Sequence, residues 1–141
     1  RTVDSIHREL GAIMWEYCGM ERTEEGLKKA IGLIRELKAE FWRDVKVVGT
    51  GNRLNQELEK AGRVADFIEL GEVMILDALD RRESAGAHFR NEYATEAGEA
   101  KRNDGDWCAV SAWETRPDGT KVRHSEPLSF SLIDLQVRDY R

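Results

Sequence analysis

The feature that most constrains the fold is one long helical pattern, about 30 residues running from Arg53 to Ser84. At 1.5 Å per residue, such a helix would span roughly 45 Å. Its apolar residues occupy two separate faces: Leu54, Leu58, Ala61, Ala65, Ile68, Leu76 and Leu79 on the first, and Phe67, Leu70, Gly71, Met74 and Ala78 on the second. A helix that is apolar over more than one stripe must be covered on two sides. We therefore expect two shorter helices to pack against it, or one face to contact another body.

Two shorter helical patterns precede the long one and can supply that cover. The first runs from about Val3 to Tyr17, and the second starts after Thr23 and ends near Trp42 or Arg43. Thr23 is predicted to cap the second helix and Asn52 the long one, because such side chains accept bonds from the first free backbone N–H groups. The short connection between the first two helices favours antiparallel neighbours. The predicted fold class is mainly α, a three-helix antiparallel up-down-up bundle of the spectrin-repeat kind.

The pattern changes after residue 93. A polar loop is followed by "WCAVSAWET", whose alternation is that of a strand. One side carries Trp107, Ala109, Ser111 and Trp113, and the other carries Cys108, Val110 and Ala112. "RPDG" at 116–119 has the proline and glycine positions of a type I turn, and "TKVRHSE" returns as a second strand. "PLSFSLIDLQV" is predicted to be a further extended or short-strand segment. We expect residues 1–93 to form the three-helix bundle, and residues 94–141 to form a loop and β-hairpin tail of the same domain.

Charge and composition exclude several classes of partner. The 141 residues carry a net charge of −5, with no basic stripe, so we expect no nucleic-acid partner. No apolar run approaches the roughly 20 residues that a membrane-spanning helix needs, so no direct membrane insertion is expected. Cys18 and Cys108 lie far apart in unrelated contexts, which favours a reducing compartment over a disulfide scaffold. The chain opens on "RTVDSI", without a methionine or a signal sequence, as expected of a C-terminal fragment of a larger protein.

No motif for catalysis, cofactor binding or metal binding stands out. His7, His88 and His124 lack a second ligand at metal-binding spacing. The Gly49–Gly51 stretch lacks the lysine of a phosphate-binding loop and is interpreted as a turn. Glu72 lies among apolar residues of the long helix, where a buried carboxylate is usually held by a nearby arginine. We therefore predict no catalytic, cofactor-binding or metal site in this chain.

The segment "RRESAGAHFRNEY", residues 81–93, concentrates charged and polar groups where the long helical pattern stops. Its arginines and His88 could hold a carboxylate substrate, since guanidinium groups match carboxylate geometry. The alternative is structural: the same groups could satisfy the last carbonyls of the helix and hold the following loop. The residues by themselves favour the structural interpretation.

Three stretches resemble the C-terminal domain of the succinate dehydrogenase/fumarate reductase flavoprotein subunit. They are "RTEEGLKKAIGLIRELKAEFW", "LNQELEKAGRVADFIELGEVMILDALDRRESAGAHFRNEY" and "DGDWCAVSAW". The most specific element is E-S-x-G-A-H-x-R, from Glu83 to Arg90, followed by N-D-x-x-W. Many members have arginine after the serine, where this chain has Ala85, so any role of that arginine cannot be carried over. The resemblance covers almost the whole chain.

The resemblance implies that the flavin-binding and capping domains, with FAD and the dicarboxylate-binding residues, lie upstream in the parent protein. Glu83, Ser84, His88 and Arg90 are then expected to form a structural junction facing the flavin domain. The parent would interconvert succinate and fumarate and transfer electrons through FAD, whereas this fragment alone is predicted to bind no flavin and to be inactive.

Partners and location also follow from the resemblance. The expected partners are the flavin-binding and capping domains of the same chain and the iron–sulfur subunit of the complex. The expected location is cytoplasmic, peripheral at the inner face of the bacterial cytoplasmic membrane through partner subunits. The alternatives are a free-standing helical protein-interaction module and the C-terminal domain of L-aspartate oxidase, which shares the helical domain and a similar E-S-R-G element.

Overall fold

The structure, a computed structural model, describes residues 1–136. It contains three main helices, a 3₁₀ turn, a short fourth helix and two strands. In chain order these are α1 (Val3–Cys18), α2 (Glu24–Asp44), α3 (Gln56–Asp80), the 3₁₀ turn (Asn91–Tyr93), α4 (Asp104–Trp107), β1 (Ala109–Thr115) and β2 (Lys121–Pro127). The predicted fold class, a mainly helical three-helix bundle with a C-terminal hairpin, is confirmed.

The three main helices run up, down and up. The start of α1 lies beside the end of α2, where Thr2 forms an isolated bridge with Lys46, so these two helices are antiparallel. Arg35 and Lys38 of α2 pair with Glu72 and Glu69 of α3, a reversed order that makes these helices antiparallel as well. Each helix therefore contacts the other two around one core.

A glycine in α3, Gly71, lies where all three helices are in contact. A Cβ atom placed on Gly71 would lie 3.3 Å from the Met14 sulfur and 3.4 Å from the terminal methyl carbons of Ile34 and Leu10. These neighbours come from α1 and α2, so the helices meet at this position. A larger side chain here would force them apart, since protein interiors are packed at crystal-like density.

Both ends of the long helix differ from the prediction. Helix α3 begins at Gln56 rather than Arg53, and its cap is Asn55 rather than Asn52, because the Asn55 side chain accepts the backbone N–H groups of Glu57 and Leu58. It ends at Asp80 rather than Ser84. The last four predicted residues leave the helix because their backbone and side chains bond to the following loop, as described below.

Of the two alternatives for the apolar faces of α3, cover of both faces by the two shorter helices is not observed, and contact of one face with another body stays a prediction. Helices α1 and α2 cover a single stripe: Ala61, Val64, Ile68, Gly71, Glu72, Ile75 and Ala78. Leu54 and Leu58, assigned to the first face, are exposed, and so are Phe67, Leu70 and Met74 of the second. The reason is that α1 and α2 also pack against each other, so both lie on the same side of α3.

The hairpin forms as predicted around the RPDG turn. Gly119 N–H donates to Arg116 C=O at 2.8 Å, and Gly119 has a φ of 85°, which glycine adopts without strain. Trp107, assigned to the first strand, lies instead in α4. For the segment predicted after Pro127 as extended or a short strand, no strand is observed over residues 128–136, and its last residue, Val137, lies outside the described residues.

The hairpin packs on α3 through polar contacts. Trp113 donates its indole N–H to Asp77 at 2.8 Å, and Arg123 pairs with Asp80 at 2.6 Å. Within residues 1–136, no helix is both long and apolar enough to cross a membrane.

Candidate functional site

The structure brings Glu83, Ser84, His88 and Arg90 together beside the end of α3. Glu83, Ser84 and Arg90 are at most 2% exposed, which is unusual for a carboxylate and a guanidinium. We call the cluster of these four residues the junction. Ionic groups can be buried in this way only when paired and hydrogen-bonded, so the partners of each residue define what the cluster does.

Arg90 closes the end of α3. Its Nη1 donates to the carbonyls of Ala78 and Leu79 at 3.0 and 3.1 Å, two groups of the last turn that have no partner inside the helix. Its Nε donates to the Glu92 carboxylate at 3.0 Å. A side chain from the following loop thereby caps the helix, a task for which Gly or a lysine of the last turn is more usual.

Glu92 links this cap to the start of α2. Its second carboxylate oxygen accepts the backbone N–H of Glu24 at 2.6 Å, at the positive end of that helix. Burial by itself would raise the pKa of Glu92, but the backbone donor and the Arg90 guanidinium outweigh it and hold the pKa below its ordinary value. The charged form of Glu92 therefore joins the end of α3 to the beginning of α2.

Glu83 connects the junction to the polar loop before the hairpin. One carboxylate oxygen accepts Arg81 Nε at 3.0 Å, and the other accepts the backbone N–H of Asn103 at 2.8 Å. Arg81 also donates to the Trp107 carbonyl at 2.8 Å. The carboxylate is thus held from two sides, and it positions the segment that leads into α4.

Ser84 holds the turn of the junction closed. Its hydroxyl accepts the Arg90 backbone N–H at 2.9 Å and lies 3.2 Å from the Arg90 carbonyl, to which it can donate. Its own N–H donates to the Lys101 carbonyl at 2.9 Å. The turn between them passes through Gly86, whose φ of 58° lies in the left-handed region. Serine is the smallest side chain that can make both hydroxyl contacts.

His88 lies between a donor and an acceptor that determine its protonation. Arg22 Nη1 lies 2.9 Å from Nδ1, and the Arg81 carbonyl lies 3.0 Å from Nε2. A guanidinium can only donate and a carbonyl can only accept, so the ring must be neutral with its proton on Nε2. Burial lowers the pKa of His88 below 6.5, and the nearby arginines lower it further, against the raising effect of the Arg81 carbonyl.

The arginines of residues 81–93 do not converge on an open carboxylate site. Arg81 is bound to Glu83 and Trp107, and Arg90 is bound to Glu92 and the helix end. Only Arg82 remains exposed. The geometry of this segment is therefore that of a helix end and loop held by internal bonds.

Two contacts of the junction could not be anticipated from the sequence. Arg22 bonds to His88 and exchanges backbone bonds with Phe89 and Asn91, although these residues lie far apart in the chain. The backbone N–H of Asn103 is the second donor to the Glu83 carboxylate. Only the R-T-E sequence before α2 marks Arg22, and spacing alone does not connect it to the later loop.

Other candidate groups have partners elsewhere. Glu72 is buried and accepts Arg35 Nε at 2.8 Å, the arginine partner predicted for it. His7 stacks near Phe67, and His124 pairs with Glu114 on the hairpin. Across residues 1–136, no group of His, Cys, Asp or Glu side chains is arranged to hold a metal ion.

The glycine-containing loop at 49–51 has no room for a phosphate group. A Cβ atom on Gly49 would lie 2.6 Å from Asn55 Nδ2, so the Asn55 side chain fills the space inside the loop. Nδ2 donates to the Val48 carbonyl at 3.1 Å, and Oδ1 accepts the first free N–H groups of α3. Phosphate binding at a helix start uses those same N–H groups. These residues therefore do not fit the phosphates of a dinucleotide.

Known proteins are similar to this chain in sequence and in fold. A succinate dehydrogenase flavoprotein subunit from Bacillus subtilis is 28% identical over 136 residues, covering 96% of this chain and 22% of that protein. The fumarate reductase flavoprotein subunit of Escherichia coli is 36% identical over 85 residues, covering 60% of this chain and 14% of that protein. A solved structure of a mutant of E. coli quinol fumarate reductase FrdA matches with a TM-score of 0.82 at 27% identity, over 95% of this chain and 22% of that chain.

The family comparison covers nearly the whole sequence. The family described as fumarate reductase flavoprotein C-term matches residues 7–140. The chain spans about a fifth of the length of curated relatives that match it over 96% of its residues. It belongs to the family of C-terminal domains of succinate dehydrogenase and fumarate reductase flavoprotein subunits.

Proposed function

We propose that this domain packs against the flavin-binding part of a succinate dehydrogenase or fumarate reductase flavoprotein subunit and supports assembly with the iron–sulfur subunit. The junction of Glu83, Ser84, His88 and Arg90 would lie on the side that the flavin domain covers. The domain would contribute no catalytic residue.

The observation that carries this proposal is the internal bonding of the junction. Each buried polar side chain of the cluster has its partners within the domain, and His88 is neutral with both ring nitrogens engaged. A general acid, base or nucleophile needs a group free to reach substrate. Groups held in this way are suited to fixing the shape of a surface instead.

The parent activity follows from the relatives. Their names describe succinate dehydrogenase and fumarate reductase flavoprotein subunits, so we propose that the parent interconverts succinate and fumarate with FAD. FAD would supply the hydride and electron chemistry there. The 49–51 loop does not fit its phosphates, so no step of that chemistry is assigned to this chain. The parent subunit would be peripheral at the inner face of the cytoplasmic membrane, attached through its partners.

The experiment is His88→Ala in the full-length flavoprotein subunit, with His124→Ala as the matched control. Loss of His88 leaves Arg22 and the Arg81 carbonyl without their shared partner, whereas His124 lies largely exposed on the hairpin. We expect His88→Ala to lower the melting temperature or the yield of complex with the iron–sulfur subunit. Turnover per assembled flavin should change little.

One outcome would contradict the proposal directly. If the His88→Ala subunit folds and assembles like wild type yet loses turnover several-hundredfold, His88 acts in the chemistry and the structural assignment is wrong. The His124→Ala subunit should match wild type in all three measurements.

A further inference from the structure

A groove of about 980 Å³ lies between β2 and α2. Its apolar lining consists of Leu76 and Leu79 of α3 and Trp113 of β1. We call this the β2 groove.

Basic side chains line the β2 groove in excess. Six are basic and two are acidic: Lys28, Arg35, Arg82, Arg90, Lys121 and Arg123 against Glu24 and Asp80. Five of these basic side chains pair with a carboxylate, whereas Arg82 has no ion pair among residues 1–136, so the positive charge open to a ligand lies at Arg82 and at the exposed ends of Lys28 and Arg35. Complementary charge is the usual basis for selecting a partner at a surface, so the ligand of this groove should be acidic.

Three of the basic groups are available to a ligand. The side chains of Lys28 and Arg35 are 62% and 59% exposed even though each has an acidic neighbour. Arg82 is exposed and has no ion pair within residues 1–136. Lys28 and Arg35 are seven residues apart on α2, a separation of roughly 10 Å along the helix. A ligand that meets these charges must be elongated rather than a single small anion.

The opposite wall of the groove is the edge of a strand. Five consecutive residues, 119–123, line it: the last two of the turn and the first three of β2. Successive side chains of a strand point to opposite faces, so a continuous run of lining residues means that the backbone edge itself borders the groove. The sheet has only the two strands β1 and β2 among the described residues, which leaves this edge without a neighbour.

Two hydrogen bonds determine which backbone groups point outward from β2. Arg116 N–H donates to the Thr120 carbonyl at 2.9 Å, and Leu128 N–H donates to the Cys108 carbonyl at 3.0 Å. In an antiparallel sheet, residue pairs that are hydrogen-bonded alternate with residue pairs that are not. Counting along the hairpin from Arg116–Thr120 or from Cys108–Leu128, every second residue pair is therefore hydrogen-bonded. The residues of the intervening pairs must direct their backbone groups away from the partner strand.

On β2 those outward residues are Lys121, Arg123 and Ser125. Their backbone N–H and C=O groups have no partner in residues 1–136. Lys121 and Arg123 are about 7 Å apart along β2, which is two residues of an extended chain. An added strand would therefore place every second backbone N–H and C=O opposite β2, and every second side chain on the same face. The wall can therefore bind an extended peptide through its backbone.

We propose that the β2 groove binds an extended acidic segment as a third strand on the edge of β2, with its acidic side chains meeting Lys28, Arg35 and Arg82. The segment belongs to the preceding part of the same flavoprotein polypeptide. The chain covers 22% of its relatives, so in a parent polypeptide of their length most of the residues would lie outside the described domain. This occupant rests on the proposed function, since it requires the flavin-binding part to pack on this domain.

The first test uses the 141-residue chain and a labelled peptide of about ten residues that alternates glutamate and valine. Binding is measured by fluorescence anisotropy, after circular dichroism has shown that the chain is helical. We expect binding of this peptide and none of the same peptide with lysine in place of glutamate. N-methylation of alternate backbone nitrogens should weaken binding at least about tenfold, because an N-methylated strand cannot donate to β2.

The charge requirement is tested with matched variants. The double variant Lys28→Glu, Arg82→Glu should weaken peptide binding at least about tenfold. The control Arg8→Glu, Arg53→Glu makes the same change in net charge at exposed positions outside the groove, and it should bind like wild type. Equal weakening by both variants would mean that overall charge alone is responsible, and it would overturn the proposal.

Two results would identify another ligand or another source. Tighter binding of oligothymidylate than of the acidic peptide would show that the groove is a nucleic-acid site, and the proposal would be wrong. If the full-length subunit binds the peptide as well as the 141-residue chain does, the groove is empty in the subunit and the occupant comes from elsewhere. We expect the full-length subunit to bind it poorly.

Hydrogen exchange in the full-length subunit gives a measurement that does not need the isolated chain to fold. The amides of Lys121, Arg123 and Ser125 should exchange slowly there, because an added strand would accept them. Fast exchange at these amides would overturn the proposal even if the His88→Ala experiment supports the packing of the domain. Conversely, slow exchange with normal assembly of His88→Ala would refute only the role of the junction.

Discussion

The junction and the segment after the hairpin invert the usual distribution of polarity. Glu83 and Arg90 are buried, whereas Leu132 is 94% exposed and Ile133 is 68% exposed in the segment 128–136. The difference is one of available partners. Each charged group of the junction has several donors or acceptors around it, while the apolar side chains of the segment have no helix or strand against which to pack.

A segment can be held in a defined position without contributing much to the free energy of unfolding. The segment 128–136 is held by backbone contacts at its two ends: Leu128 N–H bonds to the Cys108 carbonyl, and Arg102 donates to the Gln136 carbonyl at 2.7 Å. Its side chains contribute little burial. At the junction, by contrast, the side chains themselves make the bonds that close the helix end. Substitutions in the two regions should therefore have very different effects on the free energy of unfolding.

The largest effect is expected for Arg90→Met. This change leaves the carbonyls of Ala78 and Leu79 and the Glu92 carboxylate without their shared donor. Removing one partner of a buried ionic network costs about 3–5 kcal/mol. Urea denaturation followed by circular dichroism measures the change. Arg82→Met, at an exposed neighbouring arginine, should change the free energy of unfolding by less than about 0.5 kcal/mol. Similar losses in both variants would show that the buried network has no special role.

A smaller effect is expected from pH at His88. The folded pKa lies below the ordinary value of 6.5, so the unfolded state binds the proton more tightly. The stability contributed by the neutral ring is fully present above pH 6.5 and is lost as the pH falls through the folded pKa. Protonation also places a donor opposite Arg22, which itself can only donate.

The pH dependence can be isolated with His88→Gln. A glutamine can accept from Arg22 and donate to the Arg81 carbonyl but does not titrate. As the pH falls below 6.5, the free energy of unfolding should decrease more for the wild type than for His88→Gln. Urea denaturation at a series of pH values measures this difference. Parallel pH profiles of the two proteins would assign the loss to other groups.

The smallest effect is expected for Leu132→Ser in the segment 128–136. Because this side chain is already in solvent, the change should alter the free energy of unfolding of the 141-residue chain by no more than about 0.5 kcal/mol. Thermal denaturation of the variant and wild type measures this. A loss of 2 kcal/mol or more, typical of truncating a buried leucine, would show that the segment packs on the domain and that the contrast with the junction does not hold.

The helices could be predicted because their signals are local. Thr23 precedes two glutamates and begins α2 as expected, with its hydroxyl accepting the Gly26 N–H at 3.1 Å. The RPDG turn likewise forms where its proline and glycine indicate. The error at Asn52 has the same local origin: Asn52 and Asn55 can both cap a helix, and the sequence contains nothing that distinguishes which side chain will accept the first backbone N–H groups of α3.

The junction could be predicted only as a set of residues. The E-S-x-G-A-H-x-R element marked Glu83, Ser84, His88 and Arg90, and Gly86 adopts the left-handed conformation expected of a glycine in such a turn. The sequence predicts the end of α3 four residues too late, because the apolar pattern stops at Leu79 but no glycine or proline interrupts the chain before Gly86. What stops the helix is Arg90, which binds its last carbonyls from ten or more residues away in the chain.

The sequence by itself determined the three helices, their antiparallel order and the hairpin, since capping, periodicity and turn chemistry act between residues that are close in the chain. Only the tertiary structure decided which face of α3 is buried, because α1 and α2 must pack on each other as well as on α3. It also decided the charge state of His88, whose two partners come from the start of α2 and the end of α3. The free energy of a buried charge depends on every group that surrounds it, and those groups are brought together only by the fold.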